Sequence, residues 1–529
     1  MLSVVAAGAL AACNAILGIS GDVIDERPDS GSTTEGGFID GAASPVSFEP
    51  KSLTLVQSAK VTLTLTAPSL VDGGELATVA LGALPPGVKA SVVTVQVGAA
   101  QPQVITLEAN TLTVQGDYQL KLDVTTREGT ARNVIPLRVT GPFDTTFGEG
   151  GVAVAEFDFT PPDQDPQDAV GLVVTGDGTI VVAFTSKSGS STKPAIRRFT
   201  QDGKPDPSLA DGGVFRLAAA PTDSRGAGAT ELDGGAILVA GRRRIADGGL
   251  LNPIAVRVSP TGQMLDDIAS DVDGGVEEGL VPLALPNGGA AVITRNLTTS
   301  WLRPSSSPPN LGPPITLAGI PTASDAIVQG DDRVLVFATR VFGLESFVGR
   351  YVLSSGAPDP SFGDAGVVDP FDLNQPTAAS GALVDGGIVV VGGGKEDGGQ
   401  NSRALVRRLG SDGAPVGNVT VVLPPDTRAA SAFAVRPLPD DRVLFGGLAA
   451  KSNELPFFAR LLPSGALDPD FCMGGICVAN LEGRQGEVRR MVAQGERTIA
   501  AVLVKTGNDL SRRDVVLVRL LGVRPPLSP

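Results

Sequence analysis

The residue types available for chemistry are limited from the start, because the chain of 529 residues contains no histidine. This absence excludes a Ser-His-Asp triad, a histidine-ligated metal and any step in which histidine transfers a proton. The sequence also lacks a Walker loop, a dinucleotide fingerprint, a Gly-x-Ser-x-Gly elbow and a Ser-x-x-Lys motif. An enzyme built on this chain would depend on carboxylates and arginines, with at least two carboxylates and an arginine within about 10 Å of one another.

Acidic turns recur in the C-terminal two-thirds of the sequence. Their aspartates are Asp206, Asp211, Asp359, Asp364, Asp468 and Asp470. Carboxylates in turns can bind Ca²⁺, but this spacing matches neither an EF-hand nor a nonapeptide calcium loop. Asp, Pro and Gly are also the residues that build tight turns. We therefore predict structural turns here, with no metal and no cofactor.

Arginine recurs at the end of a predicted strand. The positions are Arg198, Arg257, Arg303, Arg350, Arg408, Arg460 and Arg519. A ring of these residues could recognise anions. We favour a structural role within the repeats for Arg198, Arg257, Arg350, Arg408, Arg460 and Arg519, in which each pairs with a turn aspartate of its own or the neighbouring repeat.

The sequence contains three cysteines. Cys472 and Cys477 flank a short Gly-containing loop, which predicts a disulfide in an oxidising compartment. A zinc site would need ligands beyond two thiolates, and histidine cannot supply them.

Cys13 follows Leu10-Ala11-Ala12 and a short apolar run that lacks a basic start. This arrangement resembles the lipobox of bacterial lipoproteins, in which the cysteine thiol receives a lipid. The resemblance implies a signal peptide at residues 1–12, lipidation of Cys13, and an outer-membrane address, since Asn14 rather than Asp follows the cysteine. The Gly-, Ser- and Asp-rich residues 13–44 have the composition of a flexible tether.

Residues 45–141 have the pattern of a β-sandwich. Val61, Leu63 and Leu65 alternate with threonines, and similar segments recur between Gly- and Pro-rich turns. About seven strands in this length are typical of an immunoglobulin-like fold. Leu84-Pro85-Pro86-Gly87-Val88 and Gly116-Asp117-Tyr118 resemble Ig-like modules of bacterial surface proteins, which favours a spacer over a binding module.

Two independent markers divide the remaining chain into seven units. One is a turn followed by an apolar strand, beginning at Asp177, Asp233, Asn287, Asp331, Asp385, Asp440 and Gln494, so that successive turns are 44 to 56 residues apart. The other is the strand-end arginine described above. Several strands in a repeat near 54 residues predict the blades of a propeller.

A third element is present in four units, at residues 143–152, 205–214, 358–367 and 467–476. It reads Phe-Asp-Thr-Thr-Phe-Gly-Glu-Gly-Gly-Val in the first copy, and Leu209 replaces the second Phe in the most divergent copy. This element resembles the delta-60 repeat of deltaproteobacterial, especially myxobacterial, surface proteins. It is lost around residues 265–320 and 414–425, where we expect irregular blades.

The two ends of the array are complementary. The array begins in mid-unit at Phe143 and ends with the apolar strand that normally precedes this element. Pairing of the two ends would close a ring, which we favour over an open superhelix because closure removes the exposed edges. The predicted fold is therefore all-β, with a seven-bladed β-propeller at residues 142–523 after the sandwich and a tail at 524–529.

The formal net charge of −15 makes binding to nucleic acid improbable. We expect a monomeric, non-enzymatic lipoprotein on the outer membrane or cell surface, held by its lipid and presenting the propeller to a protein or glycan ligand. The alternative is an exported lyase or hydrolase that uses carboxylates and arginine in the central channel.

Overall fold

The computed structural model describes residues 45–67, 76–98, 101–155, 170–188, 191–209, 213–216, 224–244, 251–269, 278–296, 298–306, 310–340, 345–395, 401–472, 474–481, 484–506 and 509–522. The predicted signal peptide and tether, with Cys13, and the predicted tail lie outside these residues. Within them, regular structure consists of β-strands and two single 3-10 turns, Asp233–Gly235 and Pro439–Asp441.

The first unit contains nine strands. They are β1 (Ser47–Glu49), β2 (Leu53–Val56), β3 (Lys60–Thr66), β4 (Ala77–Leu81), β5 (Val88–Ala90), β6 (Thr94–Val97), β7 (Gln103–Ala109), β8 (Gly116–Thr126) and β9 (Gly129–Thr140). They form two sheets, in the orders β1-β3-β7-β5 and β2-β9-β8-β4-β6. The alternating side chains of both sheets share one apolar core, which includes Leu63, Leu65 and Leu122. The β2/β9 pair is parallel, whereas the other pairs are antiparallel.

The second unit contains seven sheets among the described residues, numbered along the chain. Sheet 1 contains β11 (Gly171–Val174), β12 (Ile180–Ser188), β13 (Ser191–Phe199) and β14 (Val214–Arg216). Sheet 2 contains β15 (Ser224–Glu231), β16 (Ile237–Arg244), β17 (Leu251–Val258) and β18 (Met264–Ala269). Sheet 3 contains β19 (Glu278–Ala284), β20 (Ala290–Arg295), β21 (Ser300–Ser306), β22 (Asn310–Leu311) and β23 (Ile315–Thr316).

The remaining sheets repeat this order of strands. Sheet 4 contains β24 (Ala323–Gln329), β25 (Arg333–Thr339), β26 (Ser346–Val352) and β27 (Val367–Val368). Sheet 5 contains β28 (Asn374–Val384), β29 (Gly387–Lys395), β30 (Ser402–Gly410) and β31 (Pro415–Val422). Sheet 6 contains β32 (Ala429–Pro437), β33 (Val443–Ala450), β34 (Glu454–Leu461) and β35 (Ile476–Val478). Sheet 7 contains β36 (Gly486–Gln494), β37 (Arg497–Thr506), β38 (Asp509–Leu520) and β10 (Val152–Ala155).

Sheet 7 joins the two ends of the array. Val152–Ala155 pairs antiparallel with residues 515–518 of β38, as the complementary ends of the sequence predict. The first strands of successive sheets pack in the order β11, β15, β19, β24, β28, β32 and β36, and β36 packs on β11 again. The sheets therefore form a closed ring with these seven strands innermost.

Apolar side chains fill each interface between neighbouring sheets. Seven separate clusters lie between successive sheets, including one that joins Leu517 and Ala501 of sheet 7 to Leu172 and Ile180 of sheet 1. Both faces of each sheet are buried in this way, which explains the near-continuous apolar runs of the second strands.

One sequence expectation needs correction. The sandwich has nine strands rather than about seven, since short strands such as Ser47–Glu49 and Val88–Ala90 give no detectable alternation. Sheet 5 shows the irregularity expected around residues 414–425, because the pairing of β30 with β31 shifts between Val406 and Arg408, although residues 415–422 form one continuous strand. In sheet 3 the expected irregularity is present, because β22 and β23 each pair with a different part of β21.

The sandwich is fixed to the ring by buried hydrogen bonds. Gln57 is almost fully buried, and its amide oxygen accepts from the backbone of Phe143 (3.1 Å) while its amide nitrogen donates to Thr113 (2.8 Å). Gln115 donates to the carbonyl of Phe143 (2.8 Å). The backbone N–H of Asn480 donates to the hydroxyl of Thr111 (2.6 Å), which links the sandwich to the segment after sheet 6.

Candidate functional site

The strand-end arginines pair with the aspartates of the Phe-Gly element. The pairs are Arg198 with Asp206 (2.8 Å), Arg257 with Asp266 (2.6 Å), Arg350 with Asp359 (3.0 Å), Arg460 with Asp468 (2.7 Å) and Arg519 with Asp144 (2.9 Å). Asp266 lies outside the predicted element and belongs to the fourth strand of sheet 2, directly opposite Arg257. In the other four pairs the arginine belongs to the third strand and the aspartate to the turn before the fourth strand, so the pair ties this turn to its own sheet.

Several of these arginines also reach the next sheet. Arg198 donates to the carbonyl of Pro260, Arg350 to that of Ser411, and Arg519 to that of Gln201 (2.9 Å). The three carbonyls occupy the same place in the turn after the third strand. Arg408 instead donates to the carbonyl of Asp441 in sheet 6 (2.5 Å). These four arginines therefore connect neighbouring sheets and do not gather as a free anion-binding ring.

Two of these aspartates, Asp359 and Asp144, have a lowered pKa, which stabilises their charged form. The hydrogen bond from Ser361 and the nearby guanidinium groups hold the pKa of Asp359 well below its usual range. For Asp144, burial raises the pKa, but hydrogen bonds from Thr146 and the charge of Arg519 outweigh it and leave the pKa below its usual value. Asp359 and Asp144 thus act as structural anions rather than as proton carriers.

A second arginine, which the sequence analysis did not assign, contacts the same aspartate in three sheets. These contacts are Arg333 with Asp359 (2.8 Å), Arg442 with Asp468 (3.5 Å) and Arg497 with Asp144 (3.6 Å). All three arginines immediately follow the turn between the first and second strands. These three arginines could have been found from the sequence, because each one lies within the turn that marks its unit.

The structure also bears on the predicted disulfide and on metal binding by the acidic turns. Cys472 and Cys477 are joined by a disulfide in the structure. Asp211 lies outside the described residues. Within the described part of the chain, no group of three or more Asp, Glu or Cys side chains is arranged to hold a metal ion.

The inner strands share a distortion at one position. In sheets 2 to 7 the pairing of the first and second strands shifts by one residue, at Gly226/Gly228, Gly279/Val281, Ala323/Asp325, Ala378/Ser380, Ala432/Ala434 and Val488/Arg490. Such bulges redirect side chains and are frequent beside binding sites. The residues that follow them occupy equivalent places around the ring axis, and three of them are polar.

Those three polar residues, Asp325, Ser380 and Arg490, form what we call the channel cluster. Arg490 Nη1 lies 3.4 Å from Asp325 Oδ2, and Ser380 Oγ donates to the same oxygen at 2.6 Å. Asp325 belongs to sheet 4 and Arg490 to sheet 7, which are separated by two sheets on one side and three on the other. The ion pair therefore crosses the centre of the ring and narrows the channel at this level.

A second ion pair lies on the same inner strand as Arg490. Arg489 donates to Glu487 at 2.6 Å and lies over the ring of Phe433, 4.7 Å from its centroid. Phe433 belongs to sheet 6, so this pair faces the interface between sheets 6 and 7. The channel cluster itself contains one carboxylate, Asp325, which already has a cationic partner in Arg490.

The sequence analysis missed the channel cluster. Asp325 and Arg490 are 165 residues apart, and only ring closure brings them together. A signal existed nonetheless, since each residue of the cluster lies four to six residues before the turn that marks its unit.

The fold defines the chain as a β-propeller protein. A family model described as a domain of unknown function (DUF5122) beta-propeller matches residues 175–209, which run from the first marked turn of sheet 1 to Leu209. No curated protein matches the sequence. Within the described residues, no helix has the length and hydrophobicity needed to cross a membrane.

Similar solved structures have different activities and low identity. The virginiamycin B lyase of Staphylococcus aureus is 11% identical, with a TM-score of 0.40 over 67% of this chain and 97% of the lyase. An ulvan lyase is 11% identical, with a TM-score of 0.46 over 72% of this chain and 94% of that one. The propeller domain of the trilobed protease of Pyrococcus furiosus is 10% identical, with a TM-score of 0.33 over 54% and 82%. Identities this low leave the activity of this chain open.

Proposed function

We propose that the protein is a lipid-anchored, non-enzymatic binding scaffold of the bacterial cell surface, composed of an Ig-like spacer and a seven-bladed propeller of delta-60-like repeats. In this proposal each of the seven sheets is one blade. The observation that carries it is the hydrogen-bonded junction between sandwich and ring at Gln57, Gln115 and Thr111. A fixed junction holds the ring at a set distance and angle from its tether, as a display module requires.

Two features of the sandwich support the Ig-like assignment. The hydroxyl of Tyr118 donates to the backbone carbonyl of Val114 at 2.9 Å, early in a long strand, which is the geometry of the tyrosine corner in such domains. The two sheets also pack face to face around one core. With no cysteine in the sandwich, that core supplies the stability that a disulfide provides elsewhere.

The state of the channel supports a role without catalysis. Asp325 is bound to Arg490, and the hydroxyl of Ser380 donates to the same carboxylate oxygen. These three side chains are thus engaged with one another across the ring, which favours a role in stabilising it.

The anchor is tested by replacing the predicted lipidation residue. In a bacterial host with lipoprotein processing, Cys13→Ser is expected to abolish incorporation of labelled palmitate and to shift the protein from the membrane to the soluble envelope fraction. The double variant Cys472→Ser/Cys477→Ser is the control and should retain the lipid. Equal labelling of all three proteins would contradict the anchor.

The binding role is tested by measuring whether the protein retains a component of an envelope extract and whether the mass of that component changes. Full-length protein held on lipid vesicles should retain a protein or glycan from an envelope extract and return it with unchanged mass. Repeated failure to retain any component across growth conditions would overturn the scaffold.

The alternative is an exported lyase or hydrolase, and the contact of Asp325 with Arg490 and Ser380 in the channel is the observation that favours it. An enzyme would return shortened products from the same extract. Asp325→Asn would then abolish product formation, while Asp123→Asn, on the sandwich surface, would not. If the Asp325→Asn variant still forms these products, the channel is not the site that makes them.

A further inference from the structure

An open cavity of about 280 Å³ lies between sheets 1 and 2. Its walls include apolar side chains of both sheets, among them Val181, Ile196, Leu209 and Ile237, and its rim includes Asp177, Arg198 and Glu231. The cavity is roughly twice the size of an engineered 150 Å³ cavity that accepts benzene. It is separate from the channel cluster, which lies on the axis of the ring.

The cavity coincides with a departure from the repeat. Phe147, Phe362 and Phe471 occupy the place that Leu209 has in sheet 1, and each is buried in the apolar cluster of its interface. Their rings also lie 4.8 to 4.9 Å beneath the strand-end arginines of their sheets.

The contact with the next sheet confirms the equivalence of these positions. The ring of Phe147 lies so close to Gly203 that a Cβ there would be 2.6 Å from it, and Phe362 lies against Gly413 in the same way. In sheet 1, the turn of sheet 2 that contains Ser259 and Pro260 lines the cavity opposite Leu209. The smaller leucine leaves open a space that an aromatic ring fills elsewhere.

The rim of the cavity is anionic. Arg198 is neutralised by Asp206 at 2.8 Å, so the carboxylates of Asp177 and Glu231 carry the remaining charge. Both are fixed in place, since Asp177 accepts from the Thr175 hydroxyl at 2.6 Å and Glu231 accepts from the backbone of Gly176 at 3.3 Å. The hydrogen bonds from Thr175 and Thr179 lower the pKa of Asp177 to about 2, which keeps it charged at neutral pH.

We propose that this cavity is a binding site for a small organic cation with an apolar body, such as an arylalkylamine. The apolar part replaces the phenylalanine ring missing from sheet 1, and the ammonium group faces Glu231 and Asp177. This inference does not depend on the lipid anchor or on the channel.

The test uses three probes of similar shape and different charge on the full-length protein: 2-phenylethylamine, 2-phenylethanol and 3-phenylpropionate. Titration calorimetry and ligand-observed NMR should give about tenfold tighter binding for the amine than for the alcohol, equivalent to about 1.4 kcal/mol. The carboxylate should not bind. Absence of amine binding at millimolar concentration, or equal affinity for the amine and the alcohol, would overturn the proposal.

Two variants locate the site. Leu209→Phe should fill the cavity and remove binding of both the amine and the alcohol, while retaining a cooperative melting transition. Glu231→Gln should weaken the amine about tenfold and leave the alcohol unchanged. Glu149→Gln, in the exposed turn of sheet 7, is the matched control and should change neither affinity. Amine binding that is unchanged in both Leu209→Phe and Glu231→Gln would place it elsewhere and refute the assignment.

Discussion

Truncation of the chain after Thr506 is expected to abolish cooperative unfolding of the whole ring. The deletion removes β38, the strand that lies between β37 and β10 in sheet 7. Its side chains Val515, Val516, Leu517, Val518 and Leu520 are all nearly or fully buried. At about 1.5–3 kcal/mol for each buried aliphatic side chain, their loss removes about 8–15 kcal/mol. This is comparable to the total stability of about 5–15 kcal/mol of a typical domain.

The reason for a global effect is the closed ring. Leu517 and Val515 pack against sheet 1 as well as within their own sheet, and β10 has its only strand partner in β38 among the described residues. In an open array, loss of a terminal strand would affect only the last unit. In a ring, the same loss exposes two interfaces and frees both ends.

Two measurements distinguish a closed ring from an open array: circular dichroism during heating, and amide hydrogen exchange measured separately for each sheet. We expect no sharp transition and rapid exchange in sheets 1 to 6 of the truncated protein. Removal of residues 524–529 alone is the control, and it should leave the melting curve unchanged. A truncated protein that retains slow exchange in sheets 3 and 4 would argue against closure as the source of stability.

The repeat could be predicted from sequence because its markers are determined by the backbone conformation of turns and by contacts within one unit. Asp-Gly turns need particular backbone conformations, and Gly178, Gly234 and Gly386 have φ values of 71° to 85°, which favour glycine. The pairing of Arg350 with Asp359 also joins residues nine positions apart, so it follows from the spacing within one unit.

The channel cluster and the cavity could not be predicted from turn conformation or from spacing within one unit. The contact between Asp325 and Arg490 depends on how many sheets separate them and on the curvature that closes the ring. The Leu209 substitution was visible as a divergent copy of the Phe-Gly element. That it leaves a cavity depends on whether the next sheet moves in to fill the space, and this is a property of packing rather than of pattern.

Replacement of Arg519 by alanine should cause a larger loss of stability than replacement of any other strand-end arginine. Arg519 is 1% exposed and holds the ring closed at three places. Its guanidinium binds Asp144 at 2.9 Å and the carbonyl of Gln201 in sheet 1 at 2.9 Å, and it lies over the ring of Phe147. Removal of one partner from a buried ion pair costs about 3–5 kcal/mol. Here Asp144 would be left with only the more distant Arg497, at 3.6 Å, as its counter-ion.

Urea unfolding of the full-length protein measures this loss. Arg519→Lys should give an intermediate loss, since it keeps the charge but cannot reach Asp144 and Gln201 together. Arg132→Ala is the matched control, because Arg132 and Asp123 form an ion pair on the sandwich whose side chains are 46% and 34% exposed. An exposed pair contributes less than about 1 kcal/mol. If Arg519→Ala costs no more than Arg132→Ala, the strand-end arginines do not hold neighbouring sheets together, and the role assigned to them from the sequence is wrong.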